Sequence, residues 1–278
     1  MLLRSIHTSH LDTTRQSRHH SIGGRFLAGV FFSVLAVGNA LAQGRGGLAP
    51  GGPPAPPPVP KAAAPIDITG YWVSLVTEDW RYRMATAAKG DFVGVPLNPA
   101  GRAASNTWDP AKDEAAGEQC KAYGVGGLMR TPTRLHITWQ DDNTLKLDTD
   151  AGTQTRILGF KPSQAPGGDW QGVSTATWER QESVMGGGRG GPPPGGSLKI
   201  VTTKMKPGYL RKNGVPYSAN AVITEFFDKL DQPNGESLLV VITEVNDPTY
   251  LATPFWTSTH FKRQTDASGW NPTACAAK

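Results

Sequence analysis

Only two histidines, His136 and His260, lie beyond residue 42. His136 sits in an alternating run, Thr133–Gln140, and Asp148 closes the next one, Thr144–Asp148. A three-residue turn at Asp141-Asp142-Asn143, with Asn143 left-handed and a bulge beside it, pairs Trp139 with Leu145 and Ile137 with Leu147. That register sets His136 opposite Asp148 and Arg134 opposite Asp150 on the other face. A two-residue turn would mix apolar and polar faces. A carboxylate across from an imidazole orients it and favours its protonated form, which makes His136 and Asp148 candidate catalytic residues near neutral pH. With Glu225 and Glu244 lining the same lumen, such a set suits a cofactor-independent hydratase, isomerase or lyase acting on a non-peptide organic substrate. On a solvent face the same pair would be a cross-strand contact worth about 0.2–1 kcal/mol.

A second constellation is Trp80-Arg81-Tyr82-Arg83-Met84. Read as a strand, it places Trp80, Tyr82 and Met84 on one face, as a pliable apolar pocket, and Arg81 and Arg83 on the other, where a rim arginine holds a carboxylate. Trp80, Arg81, Tyr82, Arg83, Glu225, Phe227 and Glu244 are thus the candidate ligand-binding residues. Two histidines are too few for a zinc or copper site built on several of them. There is no phosphate loop of the Walker type and no Gly-x-Ser-x-Gly. No metal and no cofactor is expected.

Residues 1–42 read as a signal peptide: Arg4, Arg15, Arg18 and Arg25 precede an apolar run from Phe26 to Val37, and Ala40-Leu41-Ala42 offers a cleavage site before Gln43. The whole chain has 28 basic and 23 acidic residues. Four of those basic residues and Asp12 belong to the leader, so the remainder is close to neutral, and no concentrated basic stripe invites nucleic acid. No later apolar run approaches the roughly 20 residues needed to span a bilayer. Cys120 and Cys275 are the only cysteines, an even count in a chain bound for an oxidising compartment, and are expected to form a disulfide. The expectation is a periplasmic or secreted protein with no membrane span once the signal is cleaved.

Residues 43–65 are a Pro/Gly-rich linker of extended, disordered backbone. A second Gly/Pro patch, Gly186 to Gly196, lies between two strand-like runs and reads as a mobile hairpin loop. The body, 66–278, offers ten strand-like runs rich in Val, Ile, Thr and aromatics: Tyr71–Thr77, Trp80–Met84, Thr133–Gln140, Thr144–Asp148, Thr153–Phe160, Gly172–Glu179, Leu198–Met205, Ala221–Leu230, Leu238–Val245 and Phe255–Arg263. The second hairpin, turning at Asp150-Ala151-Gly152, is expected to align Leu145 with Ile157 and Asp148 with Gln154. Residues 97–122 are the exception, with Asn98 and Pro99 starting helical turns. Aromatic residues on both faces of the strands holding Phe226, Phe227, Phe255 and Trp256 call for an outer cover, which this helical segment would provide.

Asp67-Ile68-Thr69-Gly70-Tyr71-Trp72 resembles the Gly-x-Trp first strand of lipocalins and their calycin relatives. In that family the Trp plugs the barrel floor and a late basic residue covers it, a role the resemblance assigns to Lys262 or Arg263. The body is also similar to a group of exported bacterial proteins that begin with this strand and end in Trp-Asn-Pro-x-x-Cys, here Trp270 to Cys275. The resemblance implies a fold and no chemistry: mainly β, an antiparallel lipocalin-like (calycin) β-barrel with a short helical insertion. The functional expectation is a protein that binds a small hydrophobic or aromatic molecule in the barrel mouth. A cofactor-independent enzyme using His136, or a structural envelope interaction module with a filled barrel, are the alternatives.

Overall fold

The structure is a computed structural model that describes residues 57–163, 165–180 and 195–278. The leader, most of the linker and nearly all of the Gly186–Gly196 loop lie outside the described residues. In chain order the elements are β1 (Gly70–Leu75), α1 (Trp80–Met84), α2 (Pro99–Ser105), α3 (Pro110–Ala115), a 3-10 turn (Lys121–Tyr123) and α4 (Val125–Leu128). There follow β2 (Arg134–Asp141), β3 (Thr144–Thr149), β4 (Thr155–Gly159), β5 (Val173–Arg180), β6 (Gly196–Thr203), β7 (Gly208–Arg211), β8 (Val215–Tyr217), β9 (Val222–Asp231), β10 (Ser237–Asn246) and β11 (Phe255–Gln264).

Nine strands close into one barrel in the order β1-β11-β10-β9-β6-β5-β4-β3-β2, an architecture compatible with a calycin-like fold. Closure pairs the strand edges of the barrel except along most of the β4–β5 seam. The sheet is mixed, and this corrects the all-antiparallel expectation. β4 and β5 run parallel and share only Leu158↔Ser174 and Gly159↔Thr175, because the excursion between them returns the chain to the end it left. The Trp of the Gly-x-Trp strand is a core residue. Trp72 is fully buried, its indole Nε1 donates to the Ile68 carbonyl at 2.9 Å, and the Arg263 guanidinium covers its ring at 5.4 Å. Gly70 faces that guanidinium with φ +103°, a backbone conformation open to glycine.

Alternation fills the interior. Leu135, Ile137, Leu145, Leu147, Leu158, Leu198, Ile200, Phe227, Leu239, Val241 and Phe261 have no accessible surface, and a water-sized void beside any of them would expose some. A second apolar cluster, including Val125, Leu210, Val215, Tyr217, Ile223 and Val245, joins the helical segment and the β7–β8 ribbon to the strand ends at one mouth. Asn98 caps α2 through Gly101 N–H and Asp109 caps α3, each followed by proline at the first helical position. The helices therefore cap the mouth and do not sheathe β9–β11, where Trp256 stays 54% exposed. Outer cover was the expectation; the apolar partners of the helices lie on β7 and β8 instead.

The first hairpin has the expected register, with Trp139↔Leu145, Ile137↔Leu147 and His136↔Asp148. It arrives by a different turn: the irregularity falls between Trp139 and Asp141, Asp141 pairs with Thr144, and Asn143 is not left-handed. The second hairpin is displaced by one residue from expectation, with Leu145↔Leu158 and Asp148↔Thr155. Gly152 (φ +76°) and Thr153 (φ +49°) are both left-handed, so the turn takes one residue more. A one-residue shift exchanges faces: Ile157 goes outside, 48% exposed, and Arg156 goes inside. Cys120 and Cys275 form the expected disulfide across 155 residues. The tail is further tied down where Thr273 N–H donates to the Asp150 carbonyl at 2.9 Å.

Candidate functional site

His136 faces outward, since Leu135 and Ile137 on either side are buried in the barrel. Its ring stacks on Tyr71 at 4.0 Å and 2°, with Trp270 of the tail edge-on at 6.2 Å. Asp148 is opposite in register, yet its oxygens serve other groups: Thr155 Oγ1 donates at 2.6 Å and Lys146 Nζ approaches to 2.8 Å. No hydrogen bond joins His136 to Asp148 among the described residues. The neighbouring Asp150 is a structural hub. It accepts from the backbone N–H of Arg134 and Ala151, both at 2.7 Å, and from Thr133 Oγ1 at 2.8 Å, and it pairs with Arg134 at 3.4 Å.

Burial under Tyr71 and Trp270 lowers the His136 pKa below its ordinary 6.5, opposed by Asp148 and reinforced by Lys146. The folded chain then binds its proton at lower pH than the unfolded chain does. The stabilisation is complete above about 6.5 and is lost as pH falls from there toward the depressed folded value. His136→Gln is expected to remove that fall. Urea midpoints of variant and wild type, compared from pH 7.5 down to 5, check it; a pH-independent difference between the two would contradict it.

Trp80–Met84 is a helical turn and not a strand, which corrects the two-faced pocket drawn from alternation. Asp79, left-handed at φ 48°, ends the extended chain, and Arg83 folds back onto Glu78 at 2.5 Å. Trp80 and Met84 are left 69% and 64% exposed. Arg81 pairs with Asp91 at 2.8 Å, and the Tyr82 hydroxyl donates to the same carboxylate at 3.2 Å. Five alternating residues are too few to separate a strand from one turn of helix.

The acids expected to share a lumen are separated. Glu244 faces outward between buried Thr243 and Val245. Phe227 and Glu225 face inward. Glu225 accepts from Arg156 Nη1 at 3.0 Å and Nη2 at 2.5 Å, and both side chains are fully buried. Arg156 Nη2 also reaches Thr202 Oγ1 at 3.5 Å, and Thr202 shares a hydrogen bond of 2.8 Å with Ser174. Sequence reasoning missed Arg156, Thr202 and Ser174 because the misplaced β4 register put Arg156 outside.

This polar thread leads to a groove of about 800 Å³ along the β4–β5 seam. Ile157 and Gly159 of β4 form one wall, Lys161 and Ala165 of the excursion another, and Val173 and Ser174 line the start of β5. It arises at the seam because two strands sharing two residue pairs cannot close against each other along their length. Ser174 is the buried link, touching the groove on one side and the Thr202–Arg156–Glu225 network on the other. Beside its apolar wall the groove is lined by the hydroxyl residues Thr144, Ser163 and Ser174, by Asn143, and by Lys161 with Asp141 and Asp142, a mixed lining of apolar surface and polar groups able to orient a small molecule. No cluster of three His, Cys, Asp or Glu among the described residues could hold a metal ion. No family model matches the chain, and neither a curated protein nor a solved structure matches it, so the site is defined by these residues alone.

Proposed function

We propose that the chain is an exported, lipocalin-like binding protein of the periplasm or exterior that holds a small hydrophobic or aromatic molecule in the seam groove. The observation that carries this is the groove itself: about 800 Å³ beside half-exposed Ile157, with buried Ser174 among its lining residues. Small-molecule sites have volumes of roughly 300–1,000 Å³ and combine apolar walls with few polar groups. The disulfide and the leader composition support export. The interior is full, so the binding place moves from the lumen to the wall.

The neutral fluorophore N-phenyl-1-naphthylamine tests this reading. Its fluorescence is expected to rise saturably with the wild-type protein, and Ile157→Arg is expected to weaken binding at least tenfold. Equal binding by the variant would remove the groove. A filled barrel also fits a structural envelope module, and a wild-type protein that binds no neutral aromatic would favour that second reading.

A further inference from the structure

The capped mouth carries a lobe made of α1 and the loop that follows it, residues 85–93. The two parts are braced against each other. Arg81 pairs with Asp91 at 2.8 Å, and the Tyr82 hydroxyl donates to the same carboxylate at 3.2 Å. From behind, buried Asn213 donates to the carbonyls of Ala88 at 3.0 Å and Asp91 at 2.8 Å. Arg211 donates to the Val93 carbonyl at 2.9 Å and lies over the Tyr82 ring at 4.1 Å. Phe92 packs against the apolar cluster of the mouth.

This fixed frame holds apolar side chains out in solvent. Val93, 70% exposed, joins Trp80 and Met84 as the three most exposed large apolar residues among those described. Trp80 and Met84 are four residues apart in α1 and so share one face of its turn. Single exposed apolar residues are ordinary, whereas three gathered on one braced lobe mark an interaction surface. Charge is uneven around them. Residues 78–102, with Arg130, Arg211 and Lys212 that meet Tyr82 and Arg83 around one small cavity, hold seven cations and three carboxylates. The rest of the chain beyond residue 42 has a slight acidic excess. The three carboxylates are taken, Glu78 by Arg83, Asp79 by Arg130 and Asp91 by Arg81. Lys89, Arg102, Arg211 and Lys212 make no ion pair among the described residues.

We propose that this lobe docks the protein onto an anionic lipid surface, with Trp80, Met84 and Val93 entering the headgroup boundary and the unpaired cations meeting lipid phosphates. Tryptophan favours the membrane–water interface, where its ring is in apolar surroundings and its N–H is wet. Neighbouring Lys and Arg side chains reach the headgroups and are attracted by their charge. The same cations argue against a protein partner, because Lys is depleted at protein–protein interfaces. The contact is peripheral: no helix among the described residues is long and apolar enough to cross a membrane. The lobe shares no residue with the seam groove, so it stands or falls independently of the binding reading above.

Sedimentation of the full chain with phosphatidylglycerol-containing vesicles tests it, with pure phosphatidylcholine vesicles for comparison. Binding is expected to favour the anionic vesicles and to weaken as salt is raised. Trp80→Ser combined with Met84→Ser is expected to weaken it at least tenfold while leaving the urea midpoint in place, since both side chains are exposed. Lys89→Glu is expected to weaken it about fivefold. Leu230→Ser, exposed on β9 outside the lobe, is expected to change nothing. A second readout separates the lobe from the apolar run at 26–37, because residues 1–42 contain no tryptophan. Brominated phosphatidylcholine mixed into the anionic vesicles quenches tryptophans at the bilayer, and this quenching is expected to fall in Trp80→Phe with sedimentation kept. Equal binding to both vesicle types, equal binding by the Trp80 and Met84 double variant, or quenching unchanged in Trp80→Phe would overturn the proposal. Absence of any wild-type binding would also overturn it and leave the lobe to a protein partner.

Discussion

Glu225→Leu is expected to destabilise the protein by about 3–5 kcal/mol, because it leaves the Arg156 charge inside the barrel without its partner. Both side chains are fully buried, and the two hydrogen bonds between them are the main polar contact crossing the interior from β4 to β9. Thr202 Oγ1 accepts from Arg156 Nη2 and is itself hydrogen-bonded to Ser174, but Arg156 Nε is already without a partner. Removing the whole pair should behave differently. Arg156→Met with Glu225→Leu takes both charges out and leaves chain volume in place, so the double variant is expected to match or exceed wild type. Urea denaturation midpoints of the two variants measure the difference. A single variant within about 1 kcal/mol of wild type would mean that water reaches Arg156.

Cys120→Ser combined with Cys275→Ser is the second large effect. The bond closes a loop with a sequence separation of 155 residues, and opening it frees the unfolded chain by about 5 kcal/mol on the chain-entropy account. The tail keeps its hydrogen bonds from Thr273 to the Asp150 carbonyl and from Thr153 Oγ1 to the Thr273 carbonyl. The double variant is therefore expected to remain folded at low temperature, with a much lower denaturation midpoint. The oxidised wild type should show no titratable thiol. Two reactive thiols, or an unchanged midpoint in the variant, would contradict the bond or its energetic weight.

The barrel was largely legible because its strands are long and alternate strictly. A one-residue slip would turn either the Leu135–Ile137 or the Leu145–Leu147 pair outward, and the expected register that buries all four is observed. Cys120 and Cys275 had only each other. The errors have local causes. Thr153 adopts a left-handed conformation that threonine rarely takes, so nothing in Asp150-Ala151-Gly152-Thr153 announces the longer turn. That one residue reversed β4, hid the Arg156–Glu225 pair and moved Ile157 to the surface.

The candidate sites were legible by residue type more than by place. Arg83 was singled out as a rim cation, but its burial follows from the ion pair with Glu78 and the left-handed Asp79, neither visible in alternation. His136 and Asp148 do face each other, as the register required. Their chemistry was decided by third parties, because Tyr71 stacks on the imidazole while Thr155 and Lys146 occupy the carboxylate. The seam groove had no local signal at all, since it follows from a parallel pairing between strands separated by a thirteen-residue excursion, roughly the shortest crossover a parallel pair allows.

Methyl NMR spectra of the Ile/Leu/Val-labelled protein, recorded under increasing xenon pressure, probe directly whether the barrel has free space. Xenon enters dry apolar cavities. The methyl signals of Ile137, Leu198, Ile200 and Val241 are expected to stay in place at every pressure. Saturable shifts confined to those four residues would reveal an open lumen and return the binding site to the interior.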